Sequence, residues 1–130
     1  MLSHEKLIVY QRSIQFVAWT QPLIESLPAK ISARDQLERA STSVALNIAE
    51  GNAKFSNADC ARFLQIAHGS AVECAACLDV LVARRMSDPL VAVEGKAFIE
   101  EIVKMLYAPL DRLGCRVAED GIDYIVREED

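Results

Sequence analysis

Between Leu64 and Leu81 the residues Leu64, Ala67, Ala71, Cys74, Leu78 and Leu81 recur at alternating spacings of three and four. That rhythm is the signature of an α-helix laid along a partner by a single stripe. A β-strand, whose side chains alternate with a period of about two, would scatter these residues over both faces. A helix with one apolar stripe cannot bury it alone, so the rest of the chain must supply helices to cover it.

Three other segments do so. A first helix is read from Ser3, taken as the N-cap with Glu5 in the first turn. Leu7, Tyr10, Ile14 and Val17 form its packed seam, and Ile8, Phe16, Trp19 and Leu23 a second apolar face. Pro22 is expected to kink or end it, with a short continuation to Leu27 and Pro28. A second helix runs from about Ser32 to Gly51 with the stripe Leu37, Ala40, Val44 and Ile48, and Gly51 reads as the residue just past its C-cap. The helix carrying the opening rhythm begins at Ser56-Asn57-Ala58-Asp59, a capping box by pattern. A fourth opens with Asp88-Pro89, cap then first-turn proline, and carries Ile99, Val103, Leu106, Leu110 and Leu113 to a stop at Gly114. Pro109 should loosen its last turn. The expected fold is therefore all-α: an antiparallel four-helix bundle over residues 1–114, followed by a tail of residues 115–130.

A chain of 130 residues with 52% apolar content can bury a core without staples. No apolar run reaches the roughly 18 residues of a membrane span, and the charged N-terminus does not read as a signal peptide, so a cytoplasmic protein is expected. Cys60, Cys74, Cys77 and Cys115 then read as reduced thiols. Cys74-Ala-Ala-Cys77 spells C-x-x-C, but it lies within a helical stripe, and His4 and His68 are the only histidines, so packing is favoured over metal or redox use. From Val117 onward six acids stand against one base, leaving 13 acids and 13 bases in the body. Neither part has the strongly basic footprint of a phosphate-binding domain. The tail also contains Ile122, Tyr124, Ile125 and Val126, while its acids suggest partial disorder.

On a wheel of about 100° per residue, Arg39, Ser43, Asn47 and Glu50 share one polar stripe beside the apolar one on the second helix. Arg62, Gly69 and Glu73 line up likewise on the third, with Ser70 nearby. Polar residues flanking a seam satisfy one another across helices or subunits, which is the role expected of them. Arg34, Lys54, Arg84 and Arg85 are the candidate phosphate contacts, scattered in sequence so that ring symmetry would be needed to gather them.

The run Gln36 to Gly51, with the core Ser43-Val44-x-x-Asn47-Ile48-Ala49-Glu50-Gly51, resembles the signature of the 23S ribosomal RNA intervening-sequence (S23-like) proteins. A second block, Phe63 to Glu73, resembles that family's F-L-x-I-A-x-G-S-x-x-E pattern. The resemblance extends from about Lys6 to Leu113. It implies an up-down-up-down bundle assembled into a homopentameric ring, which would cover the second face of the first helix. It also implies kinship with accessory proteins of diversity-generating retroelements, which partner a reverse transcriptase and bind nucleic acid. Those proteins are strongly basic, and this chain is not.

Enzyme patterns are scarce. No Glu has a His three residues later, as a di-iron bundle requires, no phosphate-binding G-x-x-x-x-G-K-[ST] occurs, and Lys104 interrupts the carboxylates after Glu100-Glu101. Arg62 and His68 fit the R-x(4–6)-H spacing of HEPN-type ribonucleases, but stand about 120° apart on one helix. The expectation is a non-enzymatic, ring-forming scaffold or adaptor binding a protein or RNA partner, with no cofactor, metal or small-molecule substrate; the alternative is a ribonuclease using Arg62 and His68.

Overall fold

The computed structural model describes residues 1–115. They form four α-helices, α1 (Ile8–Ser26), α2 (Ser32–Asn52), α3 (Asn57–Ala83) and α4 (Pro89–Arg112), preceded by a short 3-10 turn over Ser3–Lys6, and no strand occurs among them. The tail from residue 116, with its expected partial disorder, lies outside the described residues.

Helices adjacent in sequence pack together, α1 also packs on α4, and the diagonal pairs do not meet. The α2–α3 pairing is the most extensive. It is close because its facing residues are small: Ala40, Ala61, Ala67 and Ala71 are all buried, and Gly51 with them. A Cβ on Gly51 would lie 3.2 Å from the Cys60 carbonyl oxygen and 3.2 Å from the Phe63 Cβ. Gly51 is therefore a packing residue inside α2, which ends at Asn52, and the expectation that it lies beyond the C-cap is corrected. Gly95 plays the same part on α4, where an added Cβ would come within 2.5 Å of the Trp19 ring. Gly114, at φ 87°, is the glycine whose left-handed backbone closes α4, as expected of a C-terminal stop.

The α2 and α3 stripes are buried as the periodicity requires. On α4, Ile102 joins the core with Ile99, Leu106 and Leu110, while Val103 and Leu113 are half-buried. Helix α1 departs from expectation. Its start is Ile8, because Ser3 lies inside the 3-10 turn and Leu7 is extended. Its core face is Ser13, Phe16, Thr20 and Ile24, whereas Ile14 is exposed and Tyr10 and Val17 are half-buried. Ser13 and Thr20 sit in the core because each hydroxyl donates to a carbonyl of its own helix, Tyr10 at 2.6 Å and Val17 at 2.7 Å. Pro22 neither ends nor caps α1, which continues to Ser26. The bond that Pro22 cannot make falls on the exposed side, where water can serve the Ala18 carbonyl.

Both sequence-legible caps form. Ser56 Oγ accepts from the Asp59 backbone N–H at 3.1 Å, and Asp88 Oδ1 accepts from that of Leu90 at 2.8 Å. Across α1 and α4, Arg12 pairs with Glu101 at 2.9 Å while its guanidinium stands 4.1 Å from the Phe98 ring centre, and Phe16 stacks between Trp19 and Phe98. Among the described residues, α3 is the one helix long and apolar enough in composition to cross a bilayer. Here its core stripe is packed against α2 and α4.

Candidate interaction surface

The polar stripes of α2 and α3 meet at one point. Ser43 and Ser70 share a hydroxyl–hydroxyl hydrogen bond of 2.8 Å across the two helices. Asn47 braces it from one turn away, its Nδ2 donating to the Ser43 carbonyl at 2.8 Å and to Ser43 Oγ at 2.9 Å. A small hydroxyl on each helix is what permits so close an approach, and the amide fixes the rotamer of one of them. These three residues fulfil the cross-helix role read from the sequence.

The charged members of the stripes do not. Arg39 turns to Asp35 at 3.2 Å, Glu50 to Lys54 at 3.2 Å and Arg62 to Asp59 at 3.8 Å, each within or just beyond its own helix. All three pairs are largely solvent-exposed, so each is worth at most about 1 kcal/mol. Glu73 is exposed on α3, and Gly69 is exposed with no atom within 4 Å of where its Cβ would stand. Within this chain, then, Arg39, Glu50, Arg62, Gly69 and Glu73 do not hold α2 to α3. The physical reason is length: long charged side chains reach a partner one turn away more easily than they cross a seam built from alanine and serine.

Beside the Ser43–Ser70 contact lie large apolar side chains exposed to solvent, Leu46 on α2 and Ile66 on α3. Phe55, in the link between those helices, is fully exposed, and Lys54 and Arg62 both stand about 5 Å from the neighbouring Phe63 ring (4.9 and 5.0 Å). Sequence reading missed Phe55 altogether, although a phenylalanine between Lys54 and the capping Ser56 was a signal that no helical stripe accounted for.

The four candidate phosphate contacts divide by place. Arg34 donates to the Leu27 carbonyl at 3.1 Å, and Arg84 lines a shallow recess with Ile31, Ser32 and Gln36. Arg84, its neighbour Arg85 and Arg34 thus share one end of the bundle without any ring, which corrects the expectation that only ring symmetry would gather them. Lys54 lies at the far end of α2 from Arg34.

The thiols are packing groups. Cys74 and Cys77 are buried, and burial pushes the Cys74 thiol from its ordinary 9.0 up to about 12, with smaller contributions from Cys77 and Glu73. A thiol so held is protonated at neutral pH and is a poor metal ligand or nucleophile. Among the described residues no cluster of three or more His, Cys, Asp or Glu side chains is placed to hold a metal ion. His68 is half-buried, 6.2 Å from the Tyr107 ring of α4, and burial lowers its pKa. Arg62, by contrast, is on the exposed side with Asp59. The two residues of the ribonuclease pattern therefore have separate surroundings.

An all-helical bundle with this α2 motif defines a class, and comparison identifies it. The chain belongs to the family described as 23S rRNA-intervening sequence protein, which matches residues 5–108. Its fold is similar to the crystal structure of a protein of unknown function from the S23 ribosomal protein family of Bacteroides thetaiotaomicron VPI-5482. That likeness has a TM-score of 0.74 at 24% identity and covers 79% of this chain and 98% of the other. Curated proteins give no match.

Proposed function

We propose that the chain is a non-enzymatic cytoplasmic scaffold or adaptor: an up-down-up-down bundle that assembles into a homopentameric ring and binds a protein or RNA partner. The observation that carries this reading is the apolar surface that the bundle leaves uncovered. Ile8 and Ile14 on α1, Leu46 on α2, Ile66 and Val72 on α3, and Leu90 and Val93 on α4 all remain exposed. Scattered apolar residues are ordinary, but a helix displaying them beside an open glycine and a small polar brace offers a neighbouring helix close approach. The up-down course is supported by links of a few residues between helices, and by Asn52 at the end of α2 donating to Ser3 Oγ just before α1 at 3.1 Å. The pentamer rests on the family resemblance.

Arg34, Arg84 and Arg85 at one end make that end the place for a phosphate backbone. The kinship with retroelement accessory proteins belongs to the same proposal and would make the partner a nucleic-acid-handling protein. No observation favours the ribonuclease alternative.

Size exclusion with light scattering, at low and high salt, tests the proposal. A salt-resistant pentamer is the expected result, and a monomer at both salts would refute the assembly. RNA that copurifies and leaves at high salt would assign the partner to nucleic acid. RNA-free material that captures a protein partner through the α2–α3 face would assign it to protein. Loss of a purified RNA-cleaving activity in a folded His68→Ala variant would overturn the non-enzymatic reading.

A further inference from the structure

At one end of the bundle the four helix termini leave an open apolar cavity of about 570 Å³, walled by Val9 of α1, Ile48 of α2, Cys60 and Leu64 of α3 and Leu113 at the close of α4. Its volume falls within the range of roughly 300–1,000 Å³ typical of built ligand clefts. One guanidinium, that of Arg112, stands in the wall, and among the described residues it has no carboxylate partner.

We infer that this cavity is the docking site of the chain's own C-terminal segment, with Ile122, Tyr124, Ile125 and Val126 as the groups that fill it. Three observations converge on that occupant. The first is position: the described chain ends at Cys115, two residues past the wall residue Leu113, so the segment starts at the cavity's edge. Seven further residues reach Ile122, and at about 3.3 Å each they span the end of a bundle with slack to return. The second is composition. The last 14 residues hold six acids, yet their centre is the run Ile122-Asp123-Tyr124-Ile125-Val126, which has no reason to be apolar if it serves only as a solvated tail. The third is charge. Glu119, Asp120 and Asp123 flank or interrupt that run, and the cavity offers them Arg112. The family match ends at residue 108, so the segment is this chain's addition to the shared bundle and the cavity would be its receptor. Being tethered, the segment docks at an effective concentration in the millimolar range, which a free competitor must exceed.

Cys60 in the cavity wall reports occupancy. With Cys115 changed to Ser, and with Cys74 and Cys77 buried, the native-state rate of Cys60 with a thiol reagent such as dithionitrobenzoate reads the exposure of that wall. The full-length chain is expected to react about ten-fold more slowly than one ending at residue 115. I125D in the full-length chain is expected to react like the truncated one, and a synthetic peptide of residues 117–130 to restore protection to the latter. Circular dichroism melts of both variants establish that the bundle persists. Equal rates in all three chains would overturn the inference. So would protection of the truncated chain's Cys60 by an equimolar full-length chain carrying Cys60→Ser, because that result would hand the segment to a neighbouring copy.

Discussion

Three glycines in helices face three different surroundings, and alanine at each should report a different sign. At Gly69 a Cβ meets nothing, so Gly69→Ala should gain the helix preference of alanine, up to about 1 kcal/mol. At Gly51 the new Cβ would stand 3.2 Å from backbone and Cβ atoms of α3, which yield little, so Gly51→Ala should lose about 1 kcal/mol. At Gly95 it would overlap the Trp19 ring and Leu78, at 2.5 and 2.6 Å, and the loss should reach about 1–3 kcal/mol. Urea midpoints of the three variants check the order; a Gly69→Ala that destabilises would mean that another molecule occupies its open side. The same contrast separates the polar stripe. Asn47→Ala removes the brace on Ser43 and should lower stability by about 1 kcal/mol, whereas Glu50→Ala breaks an exposed pair and should change it by less than about 0.5 kcal/mol. Of the residues singled out beforehand, Ser43, Asn47 and Ser70 were legible because short side chains on facing stripes have nowhere else to go. Arg39, Glu50 and Arg62 were misplaced because a wheel gives direction but not reach. Gly95 was not seen, although a glycine in the middle of a helical stripe was a signal for close packing.

At the scale of elements, the legible helices were those with a single apolar face. For α2 and α3 the three-and-four rhythm chose the core outright. Helix α1 carries two apolar faces, and the choice between them was made by Ser13 and Thr20, which enter the core with hydroxyls bonded to their own helix. A sequence counts those residues as polar and so points to the wrong face. Caps were read correctly wherever a side-chain oxygen does the capping, at Ser56 and Asp88, and incorrectly at α1, where no side chain caps Leu7. Ser56→Ala should therefore cost about 1 kcal/mol, with the denaturant slope unchanged because the surface exposed on unfolding is the same. Ser3→Ala should leave α1 nearly untouched, and comparing the two unfolding curves checks both statements.

For the molecule as a whole, the buried Cys74 links stability to alkaline pH. Below about pH 9 the thiol is protonated in both folded and unfolded chains and contributes no pH dependence. Above it the unfolded chain releases the proton while the folded chain holds it up to about pH 12, so stability should fall as pH rises through that window. Urea midpoints between pH 8 and pH 10.5 should drop more steeply for the natural chain than for Cys74→Ala; parallel slopes would mean that the thiol ionises in place. At this scale the four-helix course was legible from punctuation alone, since Gly, Pro and capping residues fall between the stripes. The end cavity was not, because it is made by helix termini distant in the chain.

That α1 packs on α4 and α2 but not on α3 has a consequence for the order of events on the ribosome. Made first, α1 meets α2 early, yet its aromatic side, Phe16 and Trp19, belongs with Phe98. At roughly 5–20 residues per second, several seconds separate the synthesis of Trp19 from that of Phe98. Through that interval α2 and α3 can already close as a local hairpin while one flank of α1 stays bare. The nascent chain is thus most prone to stray association just before α4 emerges, and a pause in translation after Ala83 would prolong that exposure.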